Sequence, residues 1–395
     1  MTVAVTLASS ATVRDEPRAT DPIEPLAAAF AARAAEYDRV GAIPSESLRD
    51  AAEAGLFALT VPVALGGRGA GVTETTAIAR RLGAADPATT LILAMTWLQH
   101  ANIARERRWP DPVYRQVARD AVEGRGLINA LRVEPALGTP HRGGLPDTIA
   151  RRSADGWRLS GRKIYSTGAL ALRWFSVYAR TDEDTPRVGY FLVPAAARGV
   201  RIEETWDHLG MRATRSDDVV LEDVAIPSPY AVDLRTSEEW RAASQTSLAW
   251  SALVVSAIYL GIADAARDWL VRFLHARQPS NLGKPLAQLE RMQVAVGEIE
   301  GLLCASGALL TDAALKTDYA VVRGASEPAL VKHLVTENAI AAVQKVVALV
   351  GNPALSRANP LERHLRNVLC GRVHSPQGDS VLQSAGLAAL RAAAN

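Results

Sequence analysis

Apolar positions recur at helical spacing in two long stretches of the chain, and a stretch of different texture separates them. From Pro25 to Val122, segments such as LAAAFAARAAEYDRV are rich in Ala and straight-chain residues, which favour helix. Ser45, the acids Glu46 and Asp50, and Gly55 predict a short helix with a serine cap and a glycine stop. GGRGAG at 66–71 predicts a turn between helices; no Gly-Lys-Ser/Thr follows it, so it is no phosphate loop. From Gly126 to Pro227, the runs RLSGRKIYS, RWFSVYAR, VGYFLVP and VVLEDVAIP carry β-branched and aromatic residues between Gly, Pro and Asp. They predict a β domain, with VEPALGTPHRGGLP as a long loop. From Ser237 the helical period returns. Leu330, Leu334, Val335, Ala342, Val343, Val346, Val347 and Val350 form a wide apolar stripe, with Ser326 as cap and Gly351 just past the end.

The predicted organisation is a flexible tail (1–22), a helical domain (23–125), a β domain (126–230) and a second helical domain (231–395). Strands and helices do not alternate, which disfavours a Rossmann or TIM architecture and predicts an α+β class. No dinucleotide fingerprint follows a strand.

Composition narrows the function classes. Lys+Arg 44 against Asp+Glu 42 gives +2, too little for a protein built on phosphate contacts to nucleic acid. Two cysteines, Cys304 and Cys370, make no disulfide framework, and a reducing, cytoplasmic setting is expected. No basic residue precedes the short apolar N-terminal run, so no signal peptide is expected. The apolar window Leu248 to Ile262 falls short of the ~20 residues of a membrane span, and no membrane partner is expected. The run RERR at 105–108 reads as a solvated face.

Four segments carry a resemblance. GLFALTVPVALGGRGAG, LSGRKIYSTGALALRWFSVYAR, TWDHLGMRATRSDDVVLEDVAIP and NPLERHLRN occur in the order found in the acyl-CoA dehydrogenase superfamily. The resemblance implies an N-terminal helical domain, a middle β-barrel or sandwich and a C-terminal four-helix bundle around a flavin. Acyl-CoA dehydrogenases need a carboxylate base, in a C-terminal Glu-Gly-Thr stretch or on the first long helix of the last domain. Here the first place reads RNVLCGRVHSPQGDSVLQSAG and the second carries Trp250 and Ser251. Arg366, Asn367, His374 and Pro376 instead resemble the flavin-dependent monooxygenase branch, dibenzothiophene monooxygenase among its members.

That branch implies an oxidoreductase taking reduced FMN or FAD from a separate NAD(P)H:flavin reductase. With O2 it forms a C4a-hydroperoxyflavin and oxygenates a small S-, N- or aromatic-containing substrate. The implied catalytic residues are His374, Ser166, His100 and Asn129. The implied flavin contacts are Asn129, Tyr165, Ser166, Thr167, Gly168, Arg277 and Arg366, and no metal is implied. Thr96, Trp97, His100 and Trp250 would line the substrate pocket, in a homotetramer or homodimer. A divergent FAD-dependent acyl-CoA dehydrogenase using Glu362 or Asp379 as base is the alternative.

Overall fold

A computed structural model describes residues 23–136, 145–241, 245–321 and 326–392. The expected tail, much of the 133–146 loop and the side chain of Ser326, on which its expected cap would rest, fall outside what is described. The first layer holds α1 (Ile23–Val40), α2 (Ser45–Glu53), α3 (Val72–Ala85), α4 (Pro87–Glu106) and α5 (Asp111–Val122). Ser45 opens α2 from inside and Pro44 precedes it with no side-chain cap, so the expected serine cap is absent. Gly55 takes a left-handed φ of +72° at the helix exit, as its position implied. Asp86 accepts from the Ala88 amide and starts α4 as a true N-cap.

Eight strands follow: β1 (Ile128–Leu131), β2 (Ile149–Ser153), β3 (Gly156–Lys163), β4 (Trp174–Thr181), β5 (Val188–Pro194), β6 (Val200–Glu203), β7 (Asp218–Pro227) and β8 (Ala231–Arg235). They form one sheet in the order β6-β7-β3-β2-β4-β5-β8, with β1 parallel to β4. β8 pairs with β5, so the β domain runs past its expected end at residue 230. The four strands read from the sequence are the longest ones; the four missed are short or charged, as IARRS in β2 shows. At the end of β3 the Lys163 ammonium is fully buried. Glu134 and the Tyr178 carbonyl hold it, and Glu134 also accepts from the Asp147 and Thr148 amides at 2.6 and 3.0 Å. A buried ion pair of this kind fixes where the chain leaves the sheet.

The last layer contains α6 (Ser237–Arg241), α7 (Gln245–Ala276), α8 (Glu290–Asp318), α9 (Ser326–Val350), α10 (Asn352–Leu355), α11 (Leu361–Leu369) and α12 (Gly378–Ala392). α7 is apolar on nearly every side and buried along most of its length, from Leu253 to Leu270. It packs on α3, α4, α8 and α9. α7, α8 and α9 are each long and apolar enough to cross a membrane by length and composition, so the apolar stretch of α7 extends well beyond the window seen in the sequence. In the fold, α7 lies in the core. The stripe on α9 is buried at Val335, Ala342, Val343, Val346 and Val350, while Leu334 is exposed. Arg80 of α3 makes a two-pronged bond to Asp264 of α7 at 2.6 and 2.9 Å. Asp318 closes α8 onto the start of α3, accepting from the Val72 and Thr73 amides at 2.8 and 2.9 Å.

Two histidines are sealed in this core. Burial pushes His100 and His364 down to about 3, so both stay neutral in the fold. In the unfolded chain they take up protons near pH 6.5. Between pH 6.5 and about 3 the unfolded state thus binds more protons than the folded one. Their contribution to stability is complete above pH 6.5 and is lost as pH falls. Two such groups give a slope approaching about 2.7 kcal/mol per pH unit. Urea unfolding at pH 7, 6 and 5 should show this decline, and equal stability at the three values would contradict it.

Candidate functional site

The chain leaves β3 through a strained turn. Tyr165 sits at φ +56° and Gly168 at φ +76°. A Cβ on Gly168 would lie 3.0 Å from Ile92 of α4, so glycine suits both the angle and the space. The Ser166 amide donates to the Asp217 carbonyl at 3.2 Å and the Gly168 amide to the Thr214 carbonyl at 2.8 Å. The hydroxyls of Thr214, Ser216 and Thr167 form a chain at 2.8 and 3.1 Å. Asn129 on β1 donates its Nδ2 to the Thr167 carbonyl at 3.1 Å. It braces the turn from beneath. Ser166 Oγ is buried and has no partner, a polar atom ready for a ligand. Tyr165 is more than half exposed and stands edge-on to Trp206 and His208, whose rings stack 3.6 Å apart.

The turn at 209–211 joins this β edge to α11. The Met211 amide donates to Asn367 Oδ1 at 2.7 Å. A Cβ on Gly210 would stand 2.3 Å from the Arg366 carbonyl oxygen, so only glycine permits this approach. Arg366 donates to Glu362 at 2.7 and 3.0 Å, to Asp38 of α1 at 3.2 and 2.6 Å, and to the Leu209 carbonyl at 2.9 Å. Its guanidinium is therefore occupied in tying three segments together, which corrects the flavin contact expected of it. The same ion pairs raise it above the usual arginine range, against the opposing effect of its partial burial.

His374 follows directly. Its Nε2 lies 2.7 Å from the hydroxyl of Tyr259, a fully buried residue of α7. Burial first, and the neighbouring Lys332 second, push the imidazole down to about 4. Burial raises the Tyr259 phenol well above its usual value. Both groups are thus neutral near pH 7. Lys332 of α9 is buried and donates to the carbonyls of Gly371, His374 and Pro376 at 3.1, 2.7 and 3.1 Å. Its three N–H groups clamp the loop that carries His374, while burial lowers it to about 8. No local pattern marks this clamp, because lysine and loop lie about 40 residues apart.

The α4 residues divide. The Thr96 hydroxyl bonds both the carbonyl and the amide of Ile128, at 3.0 and 3.1 Å. The Trp97 indole is fully buried and donates to the Leu56 carbonyl at 2.6 Å. Both are pins between layers, which corrects their expected pocket role. His100 is fully buried near Tyr114, and neither ring nitrogen has a partner. Trp250 lies beneath the Arg105 guanidinium, 4.7 Å from ring centroid to Cζ. Arg105 is half-buried, so it departs from the reading of 105–108 as a solvated face, while Arg107 and Arg108 are exposed. Arg277 is exposed just beyond the end of α7. Of the alternative bases, Glu362 is held below the usual carboxylate range by Arg366, and Asp379 is exposed at the start of α12. Among the described residues no three His, Cys, Asp or Glu side chains gather to hold a metal.

Comparison with known proteins places this geometry. Family models for the acyl-CoA dehydrogenase N-terminal, middle and C-terminal domains match residues 23–106, 133–224 and 253–376. YdbM of Bacillus subtilis (strain 168), named for the acyl-CoA dehydrogenases, is 35% identical over 359 residues, which is 90% of this chain and 92% of YdbM. L-evernosamine nitrososynthase of a Micromonospora species is 30% identical over 368 residues, 88% of this chain and 83% of its own. The structure of KijD3 with FMN and a dTDP-linked amino-keto sugar aligns with a TM-score of 0.80 at 26% identity, over 94% of each chain. TdsC from Paenibacillus sp. A11-2, solved with FMN and indole, aligns at 0.83 over 94% and 96%, at 20% identity, a likeness of fold. The three domain matches, in order, and the near full-length relatives make the chain a member of the acyl-CoA dehydrogenase superfamily.

Proposed function

We propose that the chain is a flavin-dependent monooxygenase, using reduced FMN or FAD from a separate reductase and O2 to oxygenate a small S-, N- or aromatic-containing substrate. The observation that carries this is the neutral Tyr259–His374 pair, in the C-terminal region where the dehydrogenases of the family present a carboxylate base. The nitrososynthase relative and the FMN in the KijD3 and TdsC structures support the same reading. The residues at the β3 turn fit a flavin. Ser166 Oγ is a buried polar atom without a partner, the Thr167 hydroxyl is beside it, and Tyr165 offers an aromatic face. These would hold the flavin, with Asn129 bracing the turn from below. When bound in reduced form, the flavin supplies the two electrons that let one oxygen atom of O2 enter the product and the other leave as water.

The chain's own part is protonic and exclusionary. A neutral imidazole and a protonated phenol share one hydrogen bond, which leaves one N–H or O–H free to donate at His374 Nδ1 or Tyr259 Oη. Tyr259 is fully buried and His374 partly so, which limits the access of water to the donor. The 35% identity to YdbM supports a second reading, an acyl-CoA dehydrogenase with a displaced base. Glu362, paired with Arg366, is a poor candidate for that base. Exposed Val294, Leu309 and Leu315 on α8, and Leu382, Leu387 and Leu390 on α12, support self-association into a homodimer or homotetramer. A cytoplasmic location belongs to the same proposal.

The test follows oxygen chemistry without needing the substrate. Reduced FMN mixed with aerated buffer and the protein should release H2O2 about tenfold more slowly than FMN alone. Release at the free-flavin rate would sink the proposal. His374→Ala should bind FMN within about twofold of the parent and restore fast release, by at least about tenfold; a mutant with the parent's delay removes His374 from the machinery. Lys332→Met, which unpairs three carbonyls, should show the His374→Ala defect with FMN binding retained. The double variant should be no worse than either single one. An additive loss would contradict action through one loop.

A further inference from the structure

A buried charge normally has a partner of opposite sign. Arg105 is an exception. Its Nε and Nη1 are inaccessible to solvent and unpaired, and its one hydrogen bond is a long 3.4 Å contact from Nη2 to Ser247 Oγ. Among the described residues no carboxylate oxygen lies within ion-pair distance of it. The adjacent Glu106 turns instead toward Arg235 at 3.8 Å and Arg108 at 4.0 Å. Asn102, which could have competed for the guanidinium, is engaged by Ser247. Below, Trp250 presents its ring face. Stacking on an aromatic fixes the plane of a guanidinium while leaving its edge donors free, the geometry used to receive carboxylates and phosphates. Leaving a half-buried cation without an ion pair costs stability, and one long hydrogen bond to Ser247 offsets little of it.

We propose that Arg105, held over Trp250 at the junction of α4 and α7, is the receptor for an oxyanion, a carboxylate or phosphate group carried by the substrate. The proposal rests on the reading of this junction as part of the substrate pocket. It does not depend on which redox reaction the flavin performs. Burial lowers Arg105 to about 10, against the raising effect of the nearby Glu106 charge, which still leaves it charged at neutral pH with no ion pair of its own. Lysine would replace it poorly, since an ammonium neither stacks on Trp250 nor offers a planar set of donors.

Anion binding to the flavin-free protein tests this apart from catalysis. The full chain is titrated with sodium phosphate and, separately, sodium acetate, each against sodium chloride at equal ionic strength. Indole fluorescence and Tm are read. One or both oxyanions should give a saturable fluorescence change that disappears in Trp250→Phe, with a rise in Tm. Phosphate alone identifies a phosphate-bearing ligand and acetate alone a carboxylate. Arg105→Lys should weaken the apparent affinity about tenfold or more, and Arg105→Met should abolish it. Without added anion, Arg105→Met should melt at or above the parent temperature, because an unpaired charge has been removed. The proposal is overturned by a parent protein that responds to neither oxyanion, by an equal response in Arg105→Met, or by a lower Tm for that variant. Slow H2O2 release with no anion response would reject this inference and leave the flavin proposal standing; the converse would do the opposite.

Discussion

Arg366 between Asp38 and Glu362 is the constraint on which the site depends. The three side chains belong to helices at opposite ends of the sequence, and the guanidinium adds a bond to the Leu209 carbonyl. One side chain thus joins the first helix, the β-domain turn and α11. Arg366 and Asp38 are each mostly removed from solvent, so separating them would leave a charge uncompensated, at a cost of about 3–5 kcal/mol. Asn367, the next residue, receives the Met211 amide, and Gly210 lies against the helix backbone. The Ser166–Gly168 turn hangs from Thr214 and Asp217, a few residues on. The loop bearing His374 begins where the same helix ends, a few residues after Asn367. A single docking event therefore sets the β-turn and the histidine loop relative to each other.

Around this junction the fold concentrates neutral polar groups. His374 and Tyr259 share a proton-bearing hydrogen bond, Ser166 Oγ is unpaired, and His100 has two unpaired ring nitrogens. Carboxylates are drawn away into ion pairs: Glu362 and Asp38 to Arg366, Glu134 to Lys163, and Asp217 to Arg215. Under the proposed function, such groups would donate protons, while the paired carboxylates would be weak bases toward a carbon acid. Arg105, a half-buried cation without an ion pair among the described residues, is the place proposed for the charge that a substrate would bring.

Much of the architecture was legible because it is written in local periodicity. The Ala-rich first layer, the β-branched strands and the α9 stripe each announce themselves within a dozen residues. The β3 turn and His374 were picked out because each lies inside a recognisable motif; Tyr259, 115 residues before His374, was not. Arg366 was misread as a flavin contact because its true partner, Asp38, lies 328 residues away. Thr96 and Trp97 looked like pocket residues because a helix face gives no hint of which strand or loop it will meet; they bond Ile128 and Leu56. Arg105 was assigned to a solvated run because charge clusters usually are solvated, and burial by Trp250 is a tertiary fact. Lys332 went unnoticed for the same reason: three backbone carbonyls carry no side-chain signature.

We propose that, among the described residues, this site holds no base able to take the α-proton of a thioester, although its fold is that of the acyl-CoA dehydrogenases. The most direct measurement is made without oxygen. The flavin-loaded protein is mixed anaerobically with saturated acyl-CoAs of short and medium chain length, and the flavin absorbance near 450 nm, the ordinary range for oxidised flavin, is followed. The absorbance should stay that of oxidised flavin over many minutes, while dithionite bleaches it at once. Bleaching by any of these acyl-CoAs, with the enoyl-CoA product recovered, would contradict it and make the chain a dehydrogenase with its base elsewhere.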